Sequence, residues 1–501
     1  MTSQSEYHRS IKQLAKECGI QSRFRDMHGR YRQASNETVL AAAQAMGVEH
    51  LSGRDGIQQA ARQLKQQRLE RVIEPVIPAW NGRLRYIELT LPIPLPESIK
   101  AELLLENGDV HRLTWNDINL YVNNTDTFDS CRRIRLPLDE RLPYGYHRLA
   151  LHTPLQAFST LLISAPTQAF GFPPGTRRWG LFSPLYALRS RSDWGAGDIG
   201  HLNRLAACGA EMSGSVLASL PLLPVFLEEH FDPSPYAPVS RRFWNEFYIQ
   251  IEAIPELADC PEATTMMNSA EFKAETTSLQ QTGQVDYNRT AKLKKRLLSI
   301  LADDFFHRQP PPRWQEYQHF LASNTEVADY CRFRAVSEER RITWRQWPEK
   351  MRRGRITDTD CRPELLRYYL YSQFIISTQM NGFMEKQRQQ QQAVYLDLPL
   401  GTHPDGYDVW QEQELFVPGI SVGAPPDPAF PGGQDWGFPP PHPERQRQQG
   451  YRYFIKVLRH HLQCAGILRL DHIMGLHRLF WIPAGGSATD GVYVRYNASE
   501  M

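Results

Sequence analysis

Arg469 and Asp471 stand two positions apart in the stretch Gly466 Ile467 Leu468 Arg469 Leu470 Asp471 His472. Side chains two apart on a β-strand project to the same face. An apolar run with charges at alternate positions therefore reads as a buried strand that carries a guanidinium and a carboxylate together. The C-terminal end of such a strand is where an α/β barrel places its chemistry. A structural ion pair would look the same, and the strand alone leaves both readings open. A second carboxylate, Asp397, stands near the C-terminal end of the apolar run Ala393 to Leu400.

Two loops could hold a ligand near these charges. In Phe231 to Asn245, three prolines alternate with Ser234, Tyr236, Ser240, Arg241 and Arg242. Such a loop is stiff, polar and aromatic, suited to stacking on a sugar ring and bonding its hydroxyls, or else an ordered surface loop. Gly423 to Pro443 is proline-dense and interleaved with Asp427, Phe430, Gln434, Asp435, Trp436 and Phe438, which reads as an ordered active-site loop. Carboxylates beside aromatic platforms, without clusters of metal-ligating residues, point to carbohydrate chemistry.

The elements that must position these groups follow a β/α order. Residues 1–72 show helical periodicity at Ile11 to Cys18 and Gly56 to Val72, a small helical leader. Residues 73–165 hold short β-type runs at Arg85 to Leu91, Ala101 to Leu105, Val110 to Trp115 and Tyr146 to Leu151, which predict a β-sandwich. After the Pro/Gly boundary at Pro166 to Arg178, residues 166–501 are expected to form a barrel-type domain. Trp179 to Leu188 reads as its first strand, Ile199 to Cys208 as a helix and Ser215 to Leu223 as its second strand. A helical insertion spans about 255–390, and Tyr451 to Gln463 reads as the amphipathic helix before the Arg469 strand.

Composition excludes several functions. With 501 residues and 41% apolar content the chain can bury at least one large core. Its 57 basic and 55 acidic residues leave a net charge of +2, no general electrostatic reason to bind nucleic acid or an anionic membrane. Seven scattered cysteines without a C-x-x-C pair suggest neither a disulfide framework nor a zinc site, and fit a reducing, cytoplasmic setting. The Gly-rich loop Arg191 to Asp198 matches no phosphate-cradling pattern, so no cofactor is expected. Met1 to Ile20 lacks an apolar export segment, and the longest apolar run, Val216 to Leu227, is interrupted by Pro221 and Pro224.

From Trp179 onward the chain resembles the 4-α-glucanotransferases, the amylomaltase or disproportionating-enzyme family, glycoside hydrolase family 77. The resemblance rests on the joint order of Leu188 Arg189 Ser190 with Asp193 to Asp198, Ser234 to Pro238 with Ser240 Arg241 Arg242, Ser421 to Asp427, Gly433 to Gly437, and Leu468 to His472. Leu142 to Leu149 in the preceding module is similar to the N-terminal region of longer bacterial members. The family's Asn-Pro-x-His pattern is missing from Leu220 Pro221 Leu222 Leu223.

The resemblance implies a (β/α)8-type TIM barrel and a retaining, two-step transfer of α-1,4-glucan segments between maltodextrins. Asp471 matches the nucleophile, and Arg469 the cation that favours its charged form. His472 would contact sugar hydroxyls and Asp397 would lie near the donor sugar. Tyr236 and Trp436 would line glucan subsites, with Ser234 and Gln434 as further substrate-binding candidates from the same motifs. The family's acid/base Glu and stabilising Asp belong to later barrel strands. The chain is therefore expected to be a fragment of a longer enzyme with an incomplete barrel and little or no activity of its own. A glucan-binding protein without turnover and an α-glucan hydrolase are the alternatives.

Overall fold

The computed structural model describes residues 2–26, 29–127, 131–138, 141–153, 156–227 and 234–500; Phe231, Asp232 and Pro233 of the expected ligand loop lie outside the described residues. The chain forms two compact units. One comprises Met1–Pro174, Glu414–Tyr453 and Ile473–Met501, the other Gly175–Gln413 and Phe454–His472.

In the first unit the sandwich forms from period-two alternation. Ile99, Ala101 and Leu103 are buried while Lys100, Glu102 and Leu104 are exposed along one strand. Its five-stranded sheet runs Val76–Trp80, Ala157–Ala165, Gly145–His152, Ser98–Leu104, Val110–Asn116 in spatial order, and a three-stranded sheet runs Tyr86–Pro92, Cys131–Pro137, Val122–Thr127. Both sheets contribute to one core that includes Ile87, Leu89, Ile134, Leu149 and Leu162.

The leader is more than helical. Its helix Thr2–Glu17 ends before Gly19, whose φ of +71° suits glycine, and the chain continues into the strand Ile20–Gln21. That strand pairs antiparallel with Val492–Arg495 and forms one edge of a second five-stranded sheet, which continues through Arg478–Pro483, Ile420–Ala424 and Gln434–Asp435. Phe24 packs edge-on against Phe480 and Tyr493 at 5.8 and 5.2 Å between ring centroids. The residues after Glu414 and after Ile473 thus share a sheet with the leader, because antiparallel pairing joins segments far apart in sequence.

In the second unit four parallel strands, β1 (Gly180–Phe182), β2 (Val216–Ala218), β3 (Ala393–Leu398) and β4 (Ile467–Leu470), lie side by side in chain order. β1 and β2 are shorter than their apolar runs suggest, since Pro184 and Pro221 cannot donate to a ladder. Gly180 permits the close approach of the two, for a Cβ there would meet Val216 O at 1.8 Å. Leu217, Val394, Leu396 and Leu398 bury one face of the sheet. Helices α1 (Ile199–Glu211) and α2 (Pro363–Gln389) pack beside it. The segment between Pro261 and Gln389 is helical, and its buried Lys294 donates to Phe247 O and Ile249 O at 2.7 and 3.0 Å. Among the described residues no helix is long and apolar enough to cross a membrane.

Helix α3 (Arg452–Leu462) leads into β4 and carries His460 and His461 against Trp244, at 4.5 and 6.1 Å between ring centroids. Burial lowers the His461 pKa from 6.5 to about 4 and also holds that of His460 well below the usual histidine range. The unfolded chain gains a proton at His461 near 6.5 while the folded chain stays neutral to about 4, so stability is complete above 6.5 and falls as the pH drops between these values. This group alone is expected to remove about 3 kcal/mol at the acid end. Chemical denaturation of His461→Gln between pH 6.5 and 4 should show a shallower loss of stability than the native chain, by up to about 1.4 kcal/mol per pH unit; equal slopes would contradict it.

Candidate active site

Register decides which side chains meet. β3 and β4 pair with Asp397 opposite Arg469 and Tyr395 opposite Ile467. Side chains opposite one another in register share a face, so Tyr395, Asp397 and Arg469 project together, on the face away from Leu396 and Leu398. The Asp471 N–H donates to Leu398 O at 3.0 Å and carries the ladder one step past β4. His472 then turns the chain with a left-handed φ of +46°, uncommon without glycine. Burial lowers the His472 pKa, with the Asp471 charge opposing.

One guanidinium joins both carboxylates. Arg469 Nη1 donates to Asp397 Oδ1 and Oδ2 at 2.7 and 2.9 Å, and Nη2 donates to Asp471 Oδ1 at 2.7 Å. Tyr236 OH donates to Asp397 Oδ2 at 2.7 Å. Its pKa is raised by burial and then by that bond, so the phenol keeps its proton and donates. The bonds to Asp397 likewise raise the Arg469 pKa. Side-chain exposure separates the acids: 3% for Asp397 against 28% for Asp471. Asp397 is therefore a clamp, and Asp471 is the carboxylate that a ligand can reach.

The remaining expected residues divide. The Ser234 Oγ accepts the Tyr236 N–H at 3.4 Å, so it shapes the loop behind the phenol. Gln434 and Trp436 belong to the first unit, where Trp436 Nε1 donates to Gln434 Oε1 at 2.9 Å. Asp193, in the Gly-rich motif, is an internal hub: it accepts Arg189 Nε, Ser190 N–H and Gly195 N–H at 3.1, 2.7 and 2.8 Å. Gly195, at φ +92°, has no room for a Cβ, which would meet Leu279 Cβ and Thr290 Oγ1 at 2.8 Å. Among the described residues no group of three or more His, Cys, Asp or Glu could hold a metal ion.

Two groups escaped sequence reasoning. Tyr395, two positions before Asp397 and on its face, was within reach of the period-two argument; burial raises its pKa, and the Asp397 charge adds to this. Asp408, fully buried, accepts the Ser240 hydroxyl at 2.6 Å and the Arg241 N–H at 2.8 Å. Its place in Asp405 Gly406 Tyr407 Asp408, a turn-type sequence, does not distinguish it from any capping Asp.

The glycoside hydrolase family 77 profile, described as 4-alpha-glucanotransferase, matches residues 183–501, and that of the MalQ N-terminal beta sandwich domain matches residues 72–166. A 4-alpha-glucanotransferase of Mycobacterium tuberculosis is 31% identical over 522 residues, covering 98% of this chain and 69% of its own length. One from Haemophilus influenzae is 30% identical over 385 residues, covering 72% of this chain and 54% of its own length. Among solved structures, amylomaltase from Corynebacterium glutamicum superposes with a TM-score of 0.81 at 24% identity, over 98% of this chain and 69% of that one, and shares its fold. The sequential parallel strands are those of that family's TIM-barrel domain, preceded by its β-sandwich. On the profile match and the mycobacterial relative, this chain belongs to the 4-alpha-glucanotransferase family, glycoside hydrolase family 77.

Proposed function

We propose that the enzyme carrying this sequence transfers α-1,4-glucan segments between maltodextrins, with Asp471 as the nucleophile. The observation that carries this is the shared guanidinium: Arg469 holds the half-buried Asp471 and the buried Asp397 at the ends of adjacent parallel strands. One oxygen of Asp471 is bound to Arg469, which orients the carboxylate while the group as a whole stays accessible. Attack on the anomeric carbon of the donor sugar forms a glucosyl ester on Asp471, and the 4-hydroxyl of an acceptor glucan then displaces it with overall retention. The leaving oxygen takes its proton from a second carboxyl in such reactions; Asp397, committed to Arg469 and Tyr236, is a clamp and not that acid.

Arg469 disperses charge between the two acids, and its fork geometry, which lysine lacks, lets one side chain serve both. Tyr236 and Tyr395 supply ring faces near the donor sugar, His472 a polar contact to its hydroxyls. Gln434 and Trp436 are assigned to further glucan subsites, as the motif Gly433 to Gly437 supports. An amylomaltase from Streptococcus agalactiae was solved in complex with acarbose, an observation in keeping with an oligosaccharide site here. Seven free cysteines support a cytoplasmic setting.

In the enzyme carrying this sequence, Asp471→Asn is expected to lower glucan transfer from maltotriose by about 10⁴-fold or more, with no glucosyl-enzyme adduct by intact mass spectrometry and little change in maltodextrin affinity. Transfer at the native rate would refute the assignment. Arg469→Gln leaves two carboxylates without their shared cation. Its melting temperature should fall by several degrees at pH 7, and adding Asp397→Asn should recover part of that loss; no recovery would count against the charge-sharing role.

A further inference from the structure

Ser240, Arg241 and Arg242 stand out in the sequence, yet none of them is in the reacting cluster. Ser240 is fully buried, and Arg241 and Arg242 are buried at 7% and 6% exposure. They face Asp408, a carboxylate with no exposed surface. Asp408 Oδ1 accepts the Ser240 hydroxyl at 2.6 Å and Arg242 Nε–H at 3.4 Å, and Oδ2 accepts the Arg241 N–H at 2.8 Å. A charge this deep is costly unless paired, and apolar packing would stabilise a core as well. What the ionic arrangement adds is direction.

That direction leads to Asp397. Arg241 Nη1 donates to Pro399 O and Leu400 O at 3.2 and 2.7 Å, the carbonyls two and three residues beyond Asp397. Pro238 O accepts Thr402 Oγ1–H and His403 N–H at 2.7 and 2.8 Å. The chain from Pro238 to Arg241 is thus bonded at both ends to the segment that follows β3, and Tyr236 stands two residues before it. On the far side Arg242 Nη1 donates to Glu326 at 2.8 Å, and Glu326 also accepts Lys456 of α3 at 2.6 Å. The loop is held against three elements.

We propose that Asp408 is a positioning residue for glucan transfer, holding Ser240 to Arg242 against the end of β3 so that the Tyr236 hydroxyl stays on Asp397. The inference rests on the assignment of the Asp397, Arg469 and Asp471 cluster as the donor site. Asp408 touches neither the substrate nor the reacting atoms. It acts through Tyr236, whose 2.7 Å bond a shift of a few tenths of an ångström would weaken.

A double-mutant cycle separates this role from mere stability. Ser240→Ala removes one donor to Asp408 without stranding a charge, and Asp408→Asn perturbs all three. Each is made alone and with Tyr236→Phe in the enzyme carrying this sequence, checked for native circular dichroism at 25 °C, and measured for kcat and KM in transfer from maltotriose. Ser240→Ala should lower kcat/KM about three- to tenfold and Asp408→Asn about thirtyfold, chiefly in kcat; in the Tyr236→Phe background each should cost less than about twofold. The dissociation constant of maltoheptaose, taken through the same cycle by calorimetry, reads the loop without turnover. If Asp408→Asn does not fold, the Ser240→Ala cycle decides. Costs of equal size in both backgrounds, or a Ser240→Ala variant indistinguishable from the native chain, would overturn the proposal. Failure of the donor-site assignment has its own signature, native transfer by Asp471→Asn.

Discussion

A single guanidinium shared by two carboxylates is the interaction on which the site depends. Asp397 is nearly inaccessible, and an unpaired carboxylate in that position would be strongly disfavoured. Arg469 neutralises it through two donors from one nitrogen and still has a second nitrogen to hold Asp471. The parallel register makes this possible, since a slip of one residue would send Arg469 to the helix-covered face. The apolar back of β3 pins that register by burying Val394, Leu396 and Leu398.

Around this pair the structure is layered. Tyr236 reaches Asp397 from a loop, the loop is fastened to the residues after β3, and Asp408 with Arg242 and Glu326 fastens the loop to the helices. The motifs that make the family recognisable therefore have two physical purposes. Asp471 and Arg469 form the ion-paired cluster at the strand ends, where the donor site is proposed. Asp193, Gly195, Ser240 and Arg242 are consumed in internal bonds and close packing, where a single added Cβ or lost donor would move a loop.

Much of this was legible from local pattern. Alternating apolar residues announced the sandwich strands, 3.6-residue periodicity announced the helices Gly53–Leu69 and Arg452–Leu462 and the second half of Thr2–Glu17, and charges two apart announced the face of β4. Local reading failed where prolines ended a ladder that the apolar run would have continued, as in β1 and β2. It failed too where a strand of two residues, Ile20–Gln21, forms only because Val492–Arg495 receives it. No period exists in two residues, and a leader read as helical hid a sheet edge.

The sequence by itself determined the inventory: two carboxylates and one arginine at strand ends, aromatic proline-stiffened loops, a sandwich before a β/α domain, and the family that these motifs mark. Periodicity and side-chain chemistry are local properties, and they carry that much. Only the tertiary structure decided that Arg469 serves both Asp397 and Asp471, that Asp397 is the hidden acid and Asp471 the reachable one, and that Asp408 binds Ser240, Arg241 and Arg242. Those facts depend on register, burial and loop docking between segments distant in the chain, which no residue encodes until its partner has arrived.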